Sequence, residues 1–390
     1  MSTSSRQVLG ILGGGQLARM LALAAAPLGV NSLVVDSAAD ACAGQVAPLL
    51  KADWADYAAL EAFARQVDVV TFDFENVPAE TARWLAERVA VFPNPRALAV
   101  AQDRLAEKTL FRECGLGTPE FMAVDDRAGL DRALAAVGAP AILKTRRLGY
   151  DGKGQFRLKS PADAEAAWAA LGAQAAQAAA HGLILEAFVP FQRELSVLAV
   201  RGRDGQFRTW PLTGNWHVDG VLSMSLAPAP DIAALQPRAT ALARTLAERL
   251  DYVGVFALEL FVKDGELLGN EMAPRVHNSG HWTIEGACTS QFENHVRAVL
   301  GLPLGDTGAL GTTAMFNWIG ALPDAAAALT VADAHWHDYG KSARPGRKVG
   351  HATLRAASAE ALAVRVAQMA EALGRETQAA PVLDALRAQG

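Results

Sequence analysis

Residues Phe256 to His281 read FALELFVKDGELLGNEMAPRVHNSGH, and the placement of two glutamates in this stretch decides the fold. Phe256, Leu258, Leu260 and Val262 fall on one face of an alternating strand, and Ala257, Glu259 and Phe261 on the other. Lys263 to Glu266 turns the chain, and Leu267 to Met272 returns antiparallel, carrying Asn270 and Glu271. A carboxylate within an apolar strand is costly to bury unless a positive charge compensates it, so Glu259 and Glu271 together ask for a cation.

Register decides whether they can share one. A two-residue turn at Asp264-Gly265 would set Glu259 opposite Asn270 and aim Glu271 at the other face. One extra residue in the turn, as a bulge on the glycine, sets Glu259 opposite Glu271, with Cβ atoms about 4.5–5.5 Å apart. The second register is expected, because two hard oxygen ligands beside an asparagine amide suit Mg²⁺ carrying a nucleotide's phosphates. A solvated hairpin with acidic residues on its wet face is the plainer alternative.

The whole chain, at 390 residues, is too long for one core, and two or three domains are expected. With 51% hydrophobic and 20% charged residues it reads as an ordinary soluble globular protein. A net charge of −5 gives no basic stripe and argues against nucleic acid as a partner. Cys42, Cys114 and Cys288 are odd in number and lack metal-ligand spacing, which points to a reduced, cytoplasmic compartment. The apolar run Leu17 to Leu28 is broken by Arg19 and Pro27, so neither a membrane span nor a signal peptide is expected.

Upstream of the hairpin, Val8 to Leu12 predicts a buried strand, Gly13-Gly14-Gly15 a tight loop, Gln16 to Ala26 a helix, and Ser32 to Val35 a strand ending in Asp36. This matches a dinucleotide fingerprint fairly well, although its physical content is only that a phosphate can approach the amides of a helix N-terminus. Strand Val67 to Phe72 runs out at Glu75, where active-site groups of open α/β sheets gather. A helix predicted over Leu98 to Cys114 puts Arg104 and Lys108 on one face, and most such pairs are solvated surface. Lys144 ends an apolar strand just before Gly149-Tyr150-Asp151-Gly152-Lys153-Gly154-Gln155, a flap whose amides suit phosphates but whose glycine spacing is not the Walker one. Glu186, Ala187, Phe188 and Val189 form a linker whose backbone suits an adenine edge, with Glu194 placed for ribose hydroxyls. Past the hairpin, Arg275 to His281 is dense in polar donors, and Arg344 to His351 is a cationic segment stiffened by Pro345 and suited to an anion.

The order of these motifs resembles the ATP-grasp enzymes and, within them, the N5-carboxyaminoimidazole ribonucleotide synthetase family. The resemblance rests on GGGQLARM (Gly13 to Met20), FEN (Phe74 to Asn76), DRLAEK (Asp103 to Lys108), GYDGKGQ (Gly149 to Gln155), NEMAPRVHNSGHW (Asn270 to Trp282) and RPGRKVGH (Arg344 to His351). It implies an α/β and α+β chain: a Rossmann-like N-terminal domain over 1–100, an ATP-grasp domain over 101–308 and a small β-rich C-terminal domain over 309–390. It implies ATP and Mg²⁺ as cofactors and carboxylation of 5-aminoimidazole ribonucleotide by bicarbonate through carboxyphosphate, in purine synthesis. ATP would meet Arg104, Lys144, the flap Gly149 to Gln155, Glu186 to Val189, Glu194, His217 and Asn270, with Glu259 and Glu271 on the metal. The ribonucleotide would meet Gln16, Leu17, Glu75, Asn278, Lys341, Arg347 and Lys348. Asp151 and Lys348 would handle bicarbonate or carboxyphosphate, helped by Arg275 and His277. The family also suggests a homodimer. Two rivals are a sister ATP-grasp ligase joining formate to glycinamide ribonucleotide, and a nucleotide-binding regulator without turnover.

Overall fold

The computed structural model describes residues 6–149, 154–177 and 182–388. The flap residues Tyr150, Asp151, Gly152 and Lys153 lie outside the described residues. Strands β1 (Val8–Leu12), β2 (Asn31–Asp36), β3 (Leu49–Lys51), β4 (Val69–Phe72) and β5 (Ala90–Val91) form a parallel sheet in the order β3-β2-β1-β4-β5. Leu9, Ile11, Val69 and Val70 are buried, as strands covered on both faces require.

The glycine loop departs from the dinucleotide reading. Asp36 Oδ2 accepts from the Gly14 N–H at 2.6 Å, while the Asp73 carboxylate accepts from Gly15 N–H at 2.6 Å and Ala18 N–H at 2.9 Å. Amides that would cradle a pyrophosphate are thus held by the protein's own carboxylates. Asp36 serves the loop rather than a ribose.

Four antiparallel strands, β6 (Phe121–Val124), β7 (Ala141–Thr145), β8 (Gln155–Leu158) and β9 (Leu183–Ala187), make a second sheet in the order β6-β9-β7-β8. Leu130, Leu134, Ala167 and Leu171, from helices Arg127–Val137 and Ala164–Gln177, pack one of its faces.

The third sheet contains β10 (Arg193–Arg201), β11 (Phe207–Thr209), β12 (Thr213–Val218), β13 (Val221–Ala227), β14 (Gly254–Lys263), β15 (Glu266–Ala273), β16 (Thr312–Ile319), β17 (Ala334–Asp338) and β18 (Lys348–Ala356). Its order is β15-β14-β10-β12-β13-β16-β18-β17, with β11 on β10. One continuous sheet therefore carries both the glutamate hairpin and, through β16 and β18, the cationic segment. Helices Ala359–Leu373 and Glu376–Arg387 supply Leu362, Val366, Met369, Val382 and Leu386 to the core over that end. Among the described residues no helix is long and apolar enough to cross a membrane.

Two local expectations need correction. The helix drawn over Leu98 to Cys114 is two helices, Pro95–Ala101 and Arg104–Glu113. Asp103 caps the second by accepting from Leu105 N–H at 3.0 Å, and its carboxylate is held by Arg146 at 2.5 and 3.0 Å. The hairpin turn is also shorter than expected. Lys263 pairs with Glu266, and Asp264 and Gly265 both take left-handed conformations with φ of 51° and 78°. That is the two-residue turn Asp-Gly favours. Glu259 nevertheless pairs with Glu271, because a bulge occurs further along, between Glu259 and Leu260, with Asn270 as the extra residue. The facing of the glutamates was legible, but the device that produces it lies at Asn270, not at the glycine.

The contact between the first and third sheets includes a buried histidine. His295 accepts from Val255 N–H at Nδ1, 3.0 Å, so Nε2 carries the hydrogen and donates to Thr71 Oγ1 at 2.6 Å. Burial pushes its pKa from 6.5 down to about 3. The unfolded chain then holds a proton that the folded one lacks, so the contribution to stability is present above pH 6.5 and lost as pH falls toward 3. Potentiometric unfolding over that window should show His295→Gln taking up about one proton fewer than the parent.

Candidate active site

The cleft of interest lies between the second and third sheets and has a volume of about 330 Å³, within the range of small-molecule sites. Cross-strand pairing places Ser196, Glu259 and Glu271 in one row, and Asn215, Glu194 and Phe261 in the next. Lys144 and Gln155, directly paired across β7 and β8, face the cleft from the other side. Arg104, Glu107, Gly149, His217, Asn270, Arg275, His277, Asn278, Lys348 and Glu75 complete the charged and polar lining that bears on the chemistry.

Charges in the cleft are held in pairs. Arg104 Nη1 lies 3.0 Å from Glu271 Oε2, and burial of Glu271 is outweighed by this guanidinium, so its carboxyl sits below the ordinary value. Glu259 has no such guanidinium. Burial first, then the charge of Glu271, push its pKa up to about 7. A carboxylate that buried, beside a second one, is what a divalent cation would relieve. Among the described residues each glutamate forms its ion pair through one carboxylate oxygen, Glu259 Oε1 with His277 Nε2 at 3.1 Å and Glu271 Oε2 with Arg104. The donor set, two carboxylates on one face with the bulged Asn270 between strands, therefore fits Mg²⁺.

A buried chain of hydrogen bonds fixes His277. Ser225 Oγ donates to Asn215 Oδ1 at 2.9 Å, Asn215 Nδ2 to Ser196 Oγ at 3.0 Å, and Ser196 Oγ to Ser279 Oγ at 2.7 Å. The Ser279 hydroxyl is left to donate to His277 Nδ1, 2.9 Å away. Nε2 then carries the hydrogen and donates to Glu259. Burial, then Arg275 and Lys348, hold this imidazole well below its ordinary pKa, so it is neutral. Across the cleft His217 Nδ1 lies 3.0 Å from Glu194 Oε2. Burial opposes its charging, but Glu194 outweighs that and raises the pKa.

Other residues selected from the sequence are tied to partners inside and outside this lining. Lys341 Nζ donates to Gln16 Oε1, joining the C-terminal segment to the start of the first helix; Leu17 beside it is core, buried among the helix's apolar neighbours. Arg347 Nη1 donates to Ser342 Oγ at 2.8 Å. Arg275 Nε is bonded to Glu75 Oε2, and that guanidinium offsets the burial of Glu75 and keeps its carboxyl below the ordinary value. Asn278 has a buried amide whose donor and acceptor both lack a partner among the described residues. An amide buried in that state is costly, and a ligand's polar edge would satisfy it.

In the adenine linker, the Ala187 and Phe188 N–H groups already donate to the carbonyls of Glu120 and Pro140, at 2.8 and 3.0 Å. Glu186 is buried behind the cleft wall, with Oε2 2.9 Å from Lys144 Nζ and 3.3 Å from Lys108 Nζ. Burial would raise its pKa, but the two ammonium groups bring it down to about 2. Lys108 is fully buried rather than a solvated neighbour of Arg104. Neither it nor Asp73, Glu107 or Ser279 was singled out for a role from sequence. Their only signal was membership of strings such as DRLAEK and HNSGH, where charge or hydroxyl falls at positions a core would leave apolar.

The sequence matches three family descriptions in succession: a ribonucleotide synthetase preATP-grasp domain over 6–102, an ATP-grasp domain over 109–292, and a phosphoribosylaminoimidazole carboxylase C-terminal domain over 313–365. The N5-carboxyaminoimidazole ribonucleotide synthase of Pseudomonas aeruginosa is 52% identical over 361 residues, covering 93% of this chain and 98% of that one. The chain belongs to the N5-carboxyaminoimidazole ribonucleotide synthase family. Among solved structures, the Thermus thermophilus synthetase aligns with a TM-score of 0.88 at 53% identity, over 94% of this chain and 98% of that one. The Aspergillus clavatus synthase in complex with ADP and 5-aminoimidazole ribonucleotide aligns with a TM-score of 0.82 at 31% identity, over 98% of this chain and 99% of its own. The chain is accordingly an enzyme of the synthase family, an ATP-grasp ligase of purine biosynthesis. Membership in the synthase family sets aside the dinucleotide reading of the glycine loop, which its own carboxylate partners weaken.

Proposed function

We propose that this chain carboxylates 5-aminoimidazole ribonucleotide with bicarbonate at the expense of ATP, releasing ADP and phosphate, in a cleft whose metal platform is Glu259 and Glu271. The observation that carries the reading is the pairing of these two carboxylates on one face, opposite Lys144 and beside Arg104, Arg275 and Lys348. In the proposed sequence a bicarbonate oxygen forms a bond to the γ-phosphorus of ATP as the bond to the ADP oxygen breaks. The exocyclic amine then bonds to the carboxyl carbon of carboxyphosphate, the carbon–oxygen bond to phosphate breaks, and the amine gives up a proton.

Mg²⁺ at Glu259 and Glu271 would supply charge neutralisation on the transferred phosphoryl oxygens. Arg104, Lys144 and the flap residues Gly149, Tyr150, Asp151, Gly152, Lys153, Gly154 and Gln155 would hold the phosphates. Glu186 to Val189 would frame adenine through backbone carbonyls and the Val189 amide, with Glu194 and His217 on the ribose. Gln16, Leu17 through its backbone, Glu75, Asn278, Lys341, Arg347 and Lys348 would take the ribonucleotide. Asp151 and Lys348 would receive bicarbonate. His277, neutral with its Nε2 hydrogen pointed at Glu259, is set as a fixed donor rather than a base, and Arg275 is braced by Glu75. The domain divisions at 100 and 308, a homodimeric state and a reduced cytoplasmic setting belong to the same proposal.

ADP release tests the reading. Release should require the aminoimidazole nucleotide together with bicarbonate, and label from bicarbonate should enter an acid-labile carbamate. Release only with glycinamide ribonucleotide and formate would move the chain to the sister reaction. In the same assay Arg347→Ala should raise the half-saturating concentration of the aminoimidazole nucleotide about 10- to 100-fold with little change in kcat, as expected for losing a charge-assisted phosphate contact of ~1.5–3 kcal/mol.

A further inference from the structure

We infer that Glu107 and Lys108 are positioning residues that hold the Asn270 bulge and thereby keep Glu259 and Glu271 on one face. The inference rests on the reading of those two glutamates as the metal platform. β15 is an edge strand, and its outer backbone groups would otherwise face no strand. The Arg104–Glu113 helix supplies partners on either side of Glu271: Lys108 Nζ donates to the Asn270 carbonyl at 3.0 Å, and Glu107 Oε1 accepts from the Met272 N–H at 2.6 Å. A third outer group, the Gly269 N–H, donates to the Gly117 carbonyl at 2.7 Å. The register is regular from Lys263–Glu266 to Leu260–Gly269 and shifts by one residue only between Gly269 and Glu271, at the point that Glu107 and Lys108 grip.

A regular ladder is available to this hairpin, since its two-residue turn would by itself set Glu259 opposite Asn270 and turn Glu271 away. Something must therefore favour the bulged register. Two ionisable side chains spent on backbone groups, both fully or almost fully buried, are that device. Lys108 also lies 3.3 Å from Glu186 in the second sheet, so the same grip ties the hairpin to the wall that carries Lys144.

The acceptor at Glu107 can be removed without removing bulk. Glu107→Gln keeps an oxygen for the Met272 N–H, and Glu107→Leu does not. Binding of Mn²⁺ with ADP is read by electron paramagnetic resonance of free and bound metal, alongside melting temperature, with Glu259→Gln as the reference for platform loss. Glu107→Leu should weaken Mn²⁺ binding about 10- to 100-fold, as loss of an outer support of a metal ligand does, while Glu107→Gln stays close to the parent. Glu107→Ala, which admits water, replaces the leucine variant if that fails to fold. Parent-like Mn²⁺ binding in Glu107→Leu or Glu107→Ala, with binding lost in Glu259→Gln, would overturn the positioning role alone. Parent-like binding in Glu259→Gln would overturn the platform and the inference with it.

Discussion

Glu259→Gln should raise the magnesium concentration needed for half-maximal ADP release by at least about 100-fold, the upper end of what losing even an outer support of a metal ligand costs. The expectation follows from where the side chain sits. Glu259 is largely buried beside Glu271, and burial first, then that neighbouring charge, push its pKa up. A divalent cation lets both carboxylates stay ionised side by side, and the amide in the variant removes one hard ligand while keeping shape. Glu271→Gln should act similarly on magnesium and should also leave Arg104 without its carboxylate at 3.0 Å. A titration of activity against free Mg²⁺ at saturating ATP checks both. An unchanged midpoint in either variant would contradict the role.

Lys108→Met should cost about 3 kcal/mol of stability, the largest effect expected of any single change outside the platform. The lysine is fully buried and bonded to the Asn270 carbonyl at 3.0 Å, with Glu186 Oε2 3.3 Å away. Methionine fills the space but leaves a buried carbonyl without a donor, at ~1–3 kcal/mol, and weakens the compensation of a buried carboxylate. Lys144 still pairs with Glu186 at 2.9 Å, which keeps the loss below that of a wholly unpaired charge. Denaturant unfolding followed by circular dichroism measures it. A midpoint within error of the parent would mean that the buried lysine contributes little to stability.

The hairpin shows how far sequence carries the account. Alternation over Phe256 to Met272 was enough to place two strands and to see that both glutamates need one face. It was not enough to place the bulge, because the grip on Asn270 and Met272 comes from residues more than a hundred and fifty positions earlier, and no local pattern reports such a contact. The glycine loop failed for the same reason: its amides are filled in part by Asp73, which follows β4, a neighbour of β1 in the sheet but the third strand after the loop along the chain. Lys108 read as surface because helix spacing alone cannot tell a solvated face from one pressed against a sheet edge. The family resemblance set Gln16, Glu75 and Lys341 at one ligand, but neither it nor spacing showed the direct bonds of Lys341 to Gln16 and of Arg275 to Glu75, whose partners stand 325 and 200 positions apart.

The most direct test of the central claim is a crystal structure of the full chain with Mg²⁺ and ADP. A metal held by carboxylate oxygens of both Glu259 and Glu271 at ~2.0–2.1 Å, with Asn270 at the bulge between them, is the expected result. A metal bound by the nucleotide without either glutamate, or a hairpin in which their side chains point to opposite faces, would contradict it.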